Sequence, residues 1–175
     1  MPYSTFLLAK NTMFPMNDST DRNSSTDKDR ASHHALSLLR AFLLGAAIAL
    51  AWGALSGLLH LESRFPDTAG QQLFGQPLTV QLALYGIVSP ILEELLFRKL
   101  LFDLIRKALP ERVSAVIVSA LFALWHGNII QMMYAFPAGL ILQALRAKSG
   151  RIEEPIACHM GANLTAILVR CAFPS

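Results

Sequence analysis

The chain has 175 residues, 53% of them hydrophobic and only 15% charged, with a formal net charge of +3. That balance is too apolar and too poor in charge for an ordinary soluble domain. The Lys and Arg residues are spread among connections, not gathered into one patch, so no nucleic-acid partner is expected.

Residues 1–34 read as a polar, disordered cytoplasmic tail: Asn17 to Ala31 is almost entirely Ser, Thr, Asp, Asn, Lys and Arg, which cannot bury enough surface to fold. The apolar patch Phe6–Ala9 is too brief for the hydrophobic region of a secretory signal. Residues 35–175 read as one membrane domain. Ala41–Leu59 is nineteen residues without a charge, enough to cross a ~30 Å hydrocarbon core. Gly45, Ala49, Gly53 and Gly57 recur every four residues along it, a small-residue stripe that lets another helix approach closely. A helix of the same chain is the expected neighbour, with a second copy as the alternative.

Residues 60–77 form a polar connection. Leu78–Ile105 is the second apolar segment, with Pro90 set to make a local irregularity. Arg106–Arg112 is a short basic turn, and Val113–Trp125 is a third segment, short for a span. Ile129–Leu145 is a fourth, with a break expected at Pro137-x-Gly139, and Pro155–Phe173 is a fifth. Cys158 and Cys171 lie thirteen apart on that last helix. They cannot reach each other there and read as packing residues. The expected fold is an all-α polytopic membrane bundle of about five transmembrane segments, with helices broken by Pro and Gly around a polar cavity. Placing the connections alternately on the two sides puts 13 of the 15 Lys and Arg on one side. Basic residues favour the cytoplasm, so the N-terminus is expected inside and the C-terminus outside.

Three polar insertions interrupt the apolar segments. The first is Glu93-Glu94-x-x-x-Arg98. Charges in a spanning helix cost ~2.5–3.5 kcal/mol each at the bilayer centre on insertion scales, and they persist when paired or when they line a wet cavity. Glu94 and Arg98, at i and i+4, share a face and are expected to pair. Glu93 lies about 100° around the helix and is left facing something else. The second insertion is Phe122-x-x-x-His126. The third is His159-x-x-x-Asn163, whose two residues point the same way. With straight helices, His126 at the far end of its segment falls nearer the outside than Glu93 and His159. Bringing all three together requires tilted or irregular segments around a cavity.

In this order the three motifs resemble the CPBP family of intramembrane proteases, which includes the type II CAAX prenyl endopeptidases and many small bacterial membrane proteins. The resemblance runs from about Pro77 to Ala172. It implies an intramembrane endopeptidase of a bacterial inner or plasma membrane. In that reading Glu93 is the general base for a water that His126 holds and polarises, His159 and Asn163 donate to the oxyanion, and Glu94 and Arg98 hold the acidic helix in place. A carboxylate in an apolar cavity is a competent general base. Phe97, Phe122 and Trp125 read as packing. The implied partners are the lipid bilayer and a membrane-associated protein substrate, prenylated or not, cut in its C-terminal region or sorting tail. The oligomeric state stays open.

Two alternatives stand beside this reading. Two His and a Glu could bind zinc, although the His-Glu-x-x-His spacing is absent, and a metal-free mechanism without cofactor is preferred. A non-enzymatic scaffold, immunity or transport module is the second, because intramembrane charges also mark transport pathways.

Overall fold

The structure is a computed structural model. It describes the backbone of residues 19–65, 73 and 75–173, and the side chains of these residues from 28 onward except 62. The chain divides into two compact units, Met1–His34 and Ala35–Ser175. No strand is found among the described residues.

Five long helices and one short one make up the described chain. Helix α1 spans Ser19–Leu58 and is followed by a single turn, α2 (Leu61–Arg64). Helix α3 runs over Leu78–Ile105, α4 over Glu111–Trp125, α5 over Ile129–Ser149 and α6 over Glu153–Ala172. Lys28–Leu58, Leu78–Ile105 and Ile129–Ser149 are long and apolar enough to cross a membrane. The many exposed leucines, Leu58 at 77%, Leu100 at 64% and Leu92 at 60% among them, are the surface such helices present to lipid.

Two local expectations are corrected. The first concerns the polar stretch read as disordered: from Ser19 its backbone is helical and continues into the apolar part of α1. Once the apolar turns have nucleated a helix, each further residue adds one hydrogen bond, so the helix can extend into a polar flank. Residues 1–18 lie outside the described residues. The second concerns α5, which runs unbroken through Pro137. The proline removes one donor, and the intact turns on both sides carry the helix past it. Gly139 has a different use: a Cβ there would lie 3.1 Å from Ser119 Cβ and 3.2 Å from Arg98 Nη2.

The irregularity expected near Pro90 is extensive. The α-helical piece Ser89–Glu94 sits between two π-helical stretches, Gln81–Val88 and Leu95–Leu101. Such widened turns concentrate at functional sites. Between α4 and α5 the chain reverses in a few residues. Gly127 takes a left-handed φ of 64°, which glycine adopts without steric cost. Asn128 then caps α5 with its side-chain oxygen, accepting from the backbone N–H of Ile130 and Gln131 at 2.9 and 3.2 Å. This turn leaves His126 at the C-terminal end of α4.

Helices α1 and α6 touch backbone to backbone. A Cβ at Gly45 would fall 1.7 Å from the Cys158 carbonyl oxygen, and one at Gly161 would fall 2.1 Å from that of Phe42. The N-terminal end of the glycine stripe thus packs within the chain. Gly53 and Gly57, further along, have nothing within 4 Å of a Cβ. The buried core joins Phe97 and Phe102 of α3, Val118 and Phe122 of α4, Ala135 and Leu142 of α5, and Cys158 of α6.

Candidate active site

Glu94 and Arg98 are both fully buried, with Arg98 Nε 3.3 Å from Glu94 Oε2. The contact is ionic and not an aligned hydrogen bond, since neither atom has a hydrogen-bond partner in the structure. Two further contacts fix the guanidinium. Its Nη2 donates to the Gly139 carbonyl at 3.3 Å, and its carbon lies 4.1 Å from the centre of the Phe122 ring, within cation–π range. The glycine at 139 is what lets α5 bring a bare carbonyl to that point.

Glu94 has a second partner that spacing along one helix cannot reveal. Its Oε1 lies 2.9 Å from His159 Nδ1. A carboxylate only accepts, so Nδ1 carries the proton and donates. This contact fixes the ring's orientation and turns Nε2 toward Glu93, whose Oε2 is 3.8 Å away. That distance is too long for a direct hydrogen bond. The other Glu93 oxygen, Oε1, accepts from the Ser89 hydroxyl one turn earlier. Glu93 Oε2 is shut from solvent and has no hydrogen-bond partner in the structure.

His126 joins this group through Phe122. Its Nδ1 donates to the Phe122 carbonyl at 2.8 Å. The Phe122 ring stands edge-on to both imidazoles, with centroids 4.9 Å from His126 and 5.6 Å from His159. One buried aromatic ring therefore spaces the two histidines and seats the arginine. The depth problem posed by straight helices is resolved by the shortness of α4. Fifteen residues rise only ~22 Å, short of a ~30 Å hydrocarbon core. Counted from the α3–α4 turn, Glu94 is ~17 Å deep and His126 ~22 Å, about one helical turn apart.

Asn163 is the fourth motif residue. Its Nδ2 donates to the Tyr85 carbonyl at 2.8 Å. The reason lies in α3. In the π pattern each N–H bonds the carbonyl five residues back, as Ser89 N–H does to Leu84. Pro90 follows Ser89 and has no N–H, so the Tyr85 carbonyl loses its helical donor and Asn163 of α6 supplies one. Gly86, beside it, makes room for α6: a Cβ there would lie 2.5 Å from Leu164 Cδ2.

His126, His159 and Asn163 line one cavity, together with Phe122, Tyr134 and Cys158 and with small residues such as Gly45, Ala135 and Ala138. Among the described residues, no three His, Cys, Asp or Glu side chains are disposed to hold a metal ion. Sequence reasoning missed Ser89, the double contact of His159 with both carboxylates, and the Tyr85 carbonyl. Of these, only the freed Tyr85 carbonyl left a readable signal, through Pro90 inside an apolar helix.

Comparison with known proteins bears on this arrangement. Residues 74–165, just over half of the chain, match the family described as "Type II CAAX prenyl endopeptidase Rce1-like". A Bacillus subtilis protein named "Putative membrane peptidase YdiL" is 26% identical over 95 residues, covering 54% of this chain and 39% of that protein. An Escherichia coli protein, "Uncharacterized 24.3 kDa protein", is 29% identical over 132 residues, covering 73% of this chain and 56% of that protein. The chain thus spans about half or less of the length of these relatives. No solved structure matches.

Proposed function

The chain belongs to the Rce1-like family of type II CAAX prenyl endopeptidases, and from that membership and the geometry of its buried cluster we propose that it is an intramembrane endopeptidase in which Glu93 activates water. The carrying observation is the asymmetry of the two neighbouring carboxylates. Glu94 is committed to Arg98 and His159. Glu93 keeps one oxygen with no hydrogen-bond partner, facing His159 Nε2 across 3.8 Å. A polar gap of that size suits a bridging water.

In the proposed reaction the water rests on Glu93 Oε2 and gives up its proton to it as the oxygen attacks the scissile carbonyl. His126, anchored through Nδ1, holds the water with Nε2. His159 in its imidazolium form, with Nδ1–H held by Glu94, donates from Nε2 to the developing oxyanion, and the second N–H of Asn163 does the same. Asn163 has two amide hydrogens, and only one is needed for Tyr85. Glu93 then passes its proton to the leaving amine. No metal is required at any step.

The proposed substrate is the C-terminal region or sorting tail of a membrane-associated protein, prenylated or not. The family match supports this reading. The experiment is cleavage by the purified protein and its Glu93→Gln variant, with thermal unfolding measured alongside, in the presence and absence of a chelator. Loss of cleavage in a folded Glu93→Gln protein, with chelator-insensitive wild-type activity, is expected. Cleavage by Glu93→Gln overturns the assignment of the base. Chelator-induced loss restored by zinc would favour the metal reading. A variant as inert as a wild type that cleaves nothing would favour the scaffold or transport reading.

A further inference from the structure

The C-terminal ends of α3 and α5 meet at a corner about one to two helical turns beyond Arg98. Arg146 Nη2 lies 3.0 Å from both oxygens of Asp103. Arg106 Nε reaches the same carboxylate at 3.2 Å. Two guanidiniums thus share one carboxylate, leaving the cluster with a net positive charge. They also share one aromatic ring: the Arg106 and Arg146 carbons lie 5.9 and 5.7 Å from the centre of buried Phe102. Arg146 Nη1 is closed off from solvent and has no hydrogen-bond partner in the structure, whereas Arg106 is 55% exposed. Residues 99–112 and 146–148 together carry six Lys and Arg against two carboxylates.

The outer face of α3, away from α5, is apolar. Leu100 and Leu104, one turn apart on α3, are 64% and 59% exposed. A pair of guanidiniums with excess positive charge at the ends of two membrane-length helices, one of them 55% exposed, matches one ligand chemistry. That chemistry is a phosphate carrying acyl chains. Arginine's fork suits phosphate oxygens, and basic pockets between spanning helices bind anionic headgroups.

We propose that the Asp103–Arg106–Arg146 corner binds the phosphate of an anionic phospholipid, whose acyl chains lie in the surrounding bilayer. Asp103 holds the two guanidiniums in place, and the lipid neutralises the charge left over. The bound lipid would also brace α3 against α5 at a second level, beyond the Arg98–Gly139 contact that supports the buried cluster.

The test uses the full chain in neutral detergent, with phosphatidylglycerol, phosphatidylcholine or inorganic phosphate added. The readouts are the thermal midpoint and the number of lipids retained in native mass spectrometry. Phosphatidylglycerol should be retained and should raise the midpoint, while phosphatidylcholine and inorganic phosphate should do neither. Arg106→Gln leaves the Asp103–Arg146 contact intact and should weaken phosphatidylglycerol binding about tenfold, the loss of one charge-assisted contact. Arg64→Gln, an exposed arginine elsewhere, should leave binding unchanged. Equal shifts with both lipids, a full effect from inorganic phosphate alone, wild-type binding by Arg106→Gln, or an equal loss in Arg64→Gln would each overturn the proposal.

Discussion

Neighbouring residues on a helix point about 100° apart, and for Glu93 and Glu94 that angle separates two environments. Glu94 faces α4, α5 and α6 through Arg98, Phe122 and His159 and has no solvent exposure. Glu93 is 15% exposed and meets only Ser89 and, at a distance, His159. Arg98→Ala would leave Glu94 a buried charge without its cation. Breaking such a pair typically costs ~3–5 kcal/mol, so a large drop in thermal midpoint is expected together with loss of cleavage. Glu93→Gln should keep the midpoint and lose cleavage. If the two variants are equally unstable in a detergent melt, the division of roles is wrong. Ser89→Ala tests the same site more gently: it removes a single hydrogen bond to the proposed base, so reduced turnover with an unchanged midpoint is expected.

At the scale of elements, close approach is concentrated at a few glycines. Helices α1 and α6 touch where Gly45 meets the Cys158 carbonyl and Gly161 meets that of Phe42. Gly45→Leu cannot be absorbed by rotating a side chain, because the obstacle is backbone. Its destabilisation should reach the upper end of the ~1–3 kcal/mol typical of overpacking, or exceed it. Gly53→Leu, in the same stripe with nothing within 4 Å, should stay within about 0.5 kcal/mol of the wild type. Thermal midpoints of the two variants check this, and equal losses would place a neighbour at Gly53. A second element-level prediction joins α3 to α6. Asn163→Ala should reduce turnover ~10²–10³-fold if its amide serves the oxyanion. Pro90→Ala restores an N–H that can compete for the Tyr85 carbonyl, so it should lower turnover by loosening Asn163. In the double variant the two losses should not add. Simple additivity, read from kcat/KM of the two single variants and the double, would separate Asn163 from the proline.

On the scale of the whole molecule, the family assignment and the apolar helices make this a membrane protein. We propose that it lies in a bacterial cell membrane with its N-terminus cytoplasmic, because 13 of 15 Lys and Arg then fall on the cytoplasmic side. Reporter fusions are the measurement: one before Ala41 should report cytoplasm, and one at Ser175 should report the outside. A cytoplasmic signal at Ser175 would sink the arrangement. The dispensability of residues 1–34 is a related proposal, and a chain starting at Ala35 that inserts but no longer cleaves would refute it.

The helical class and the bounds of α3 to within a residue were legible because burial in lipid demands long uncharged runs, and a charge inside such a run stands out against them. The Glu94–Arg98 contact was legible because i and i+4 always share a helix face. None of this depends on neighbours. What tertiary structure alone decided is every contact between helices: that His159 donates to Glu94 and faces Glu93, that Phe122 spaces two histidines, and that Asn163 takes the carbonyl freed by Pro90. The depth of His126 belongs here too. It follows from α4 being about one to two turns shorter than a ~30 Å core and from the turn at Gly127 that ends it. A sequence records the period of each helix, but not the rotation and height at which one helix meets the next. Those are set by the backbone contacts at Gly45, Gly139 and Gly161, where glycine marks a close approach without saying to what.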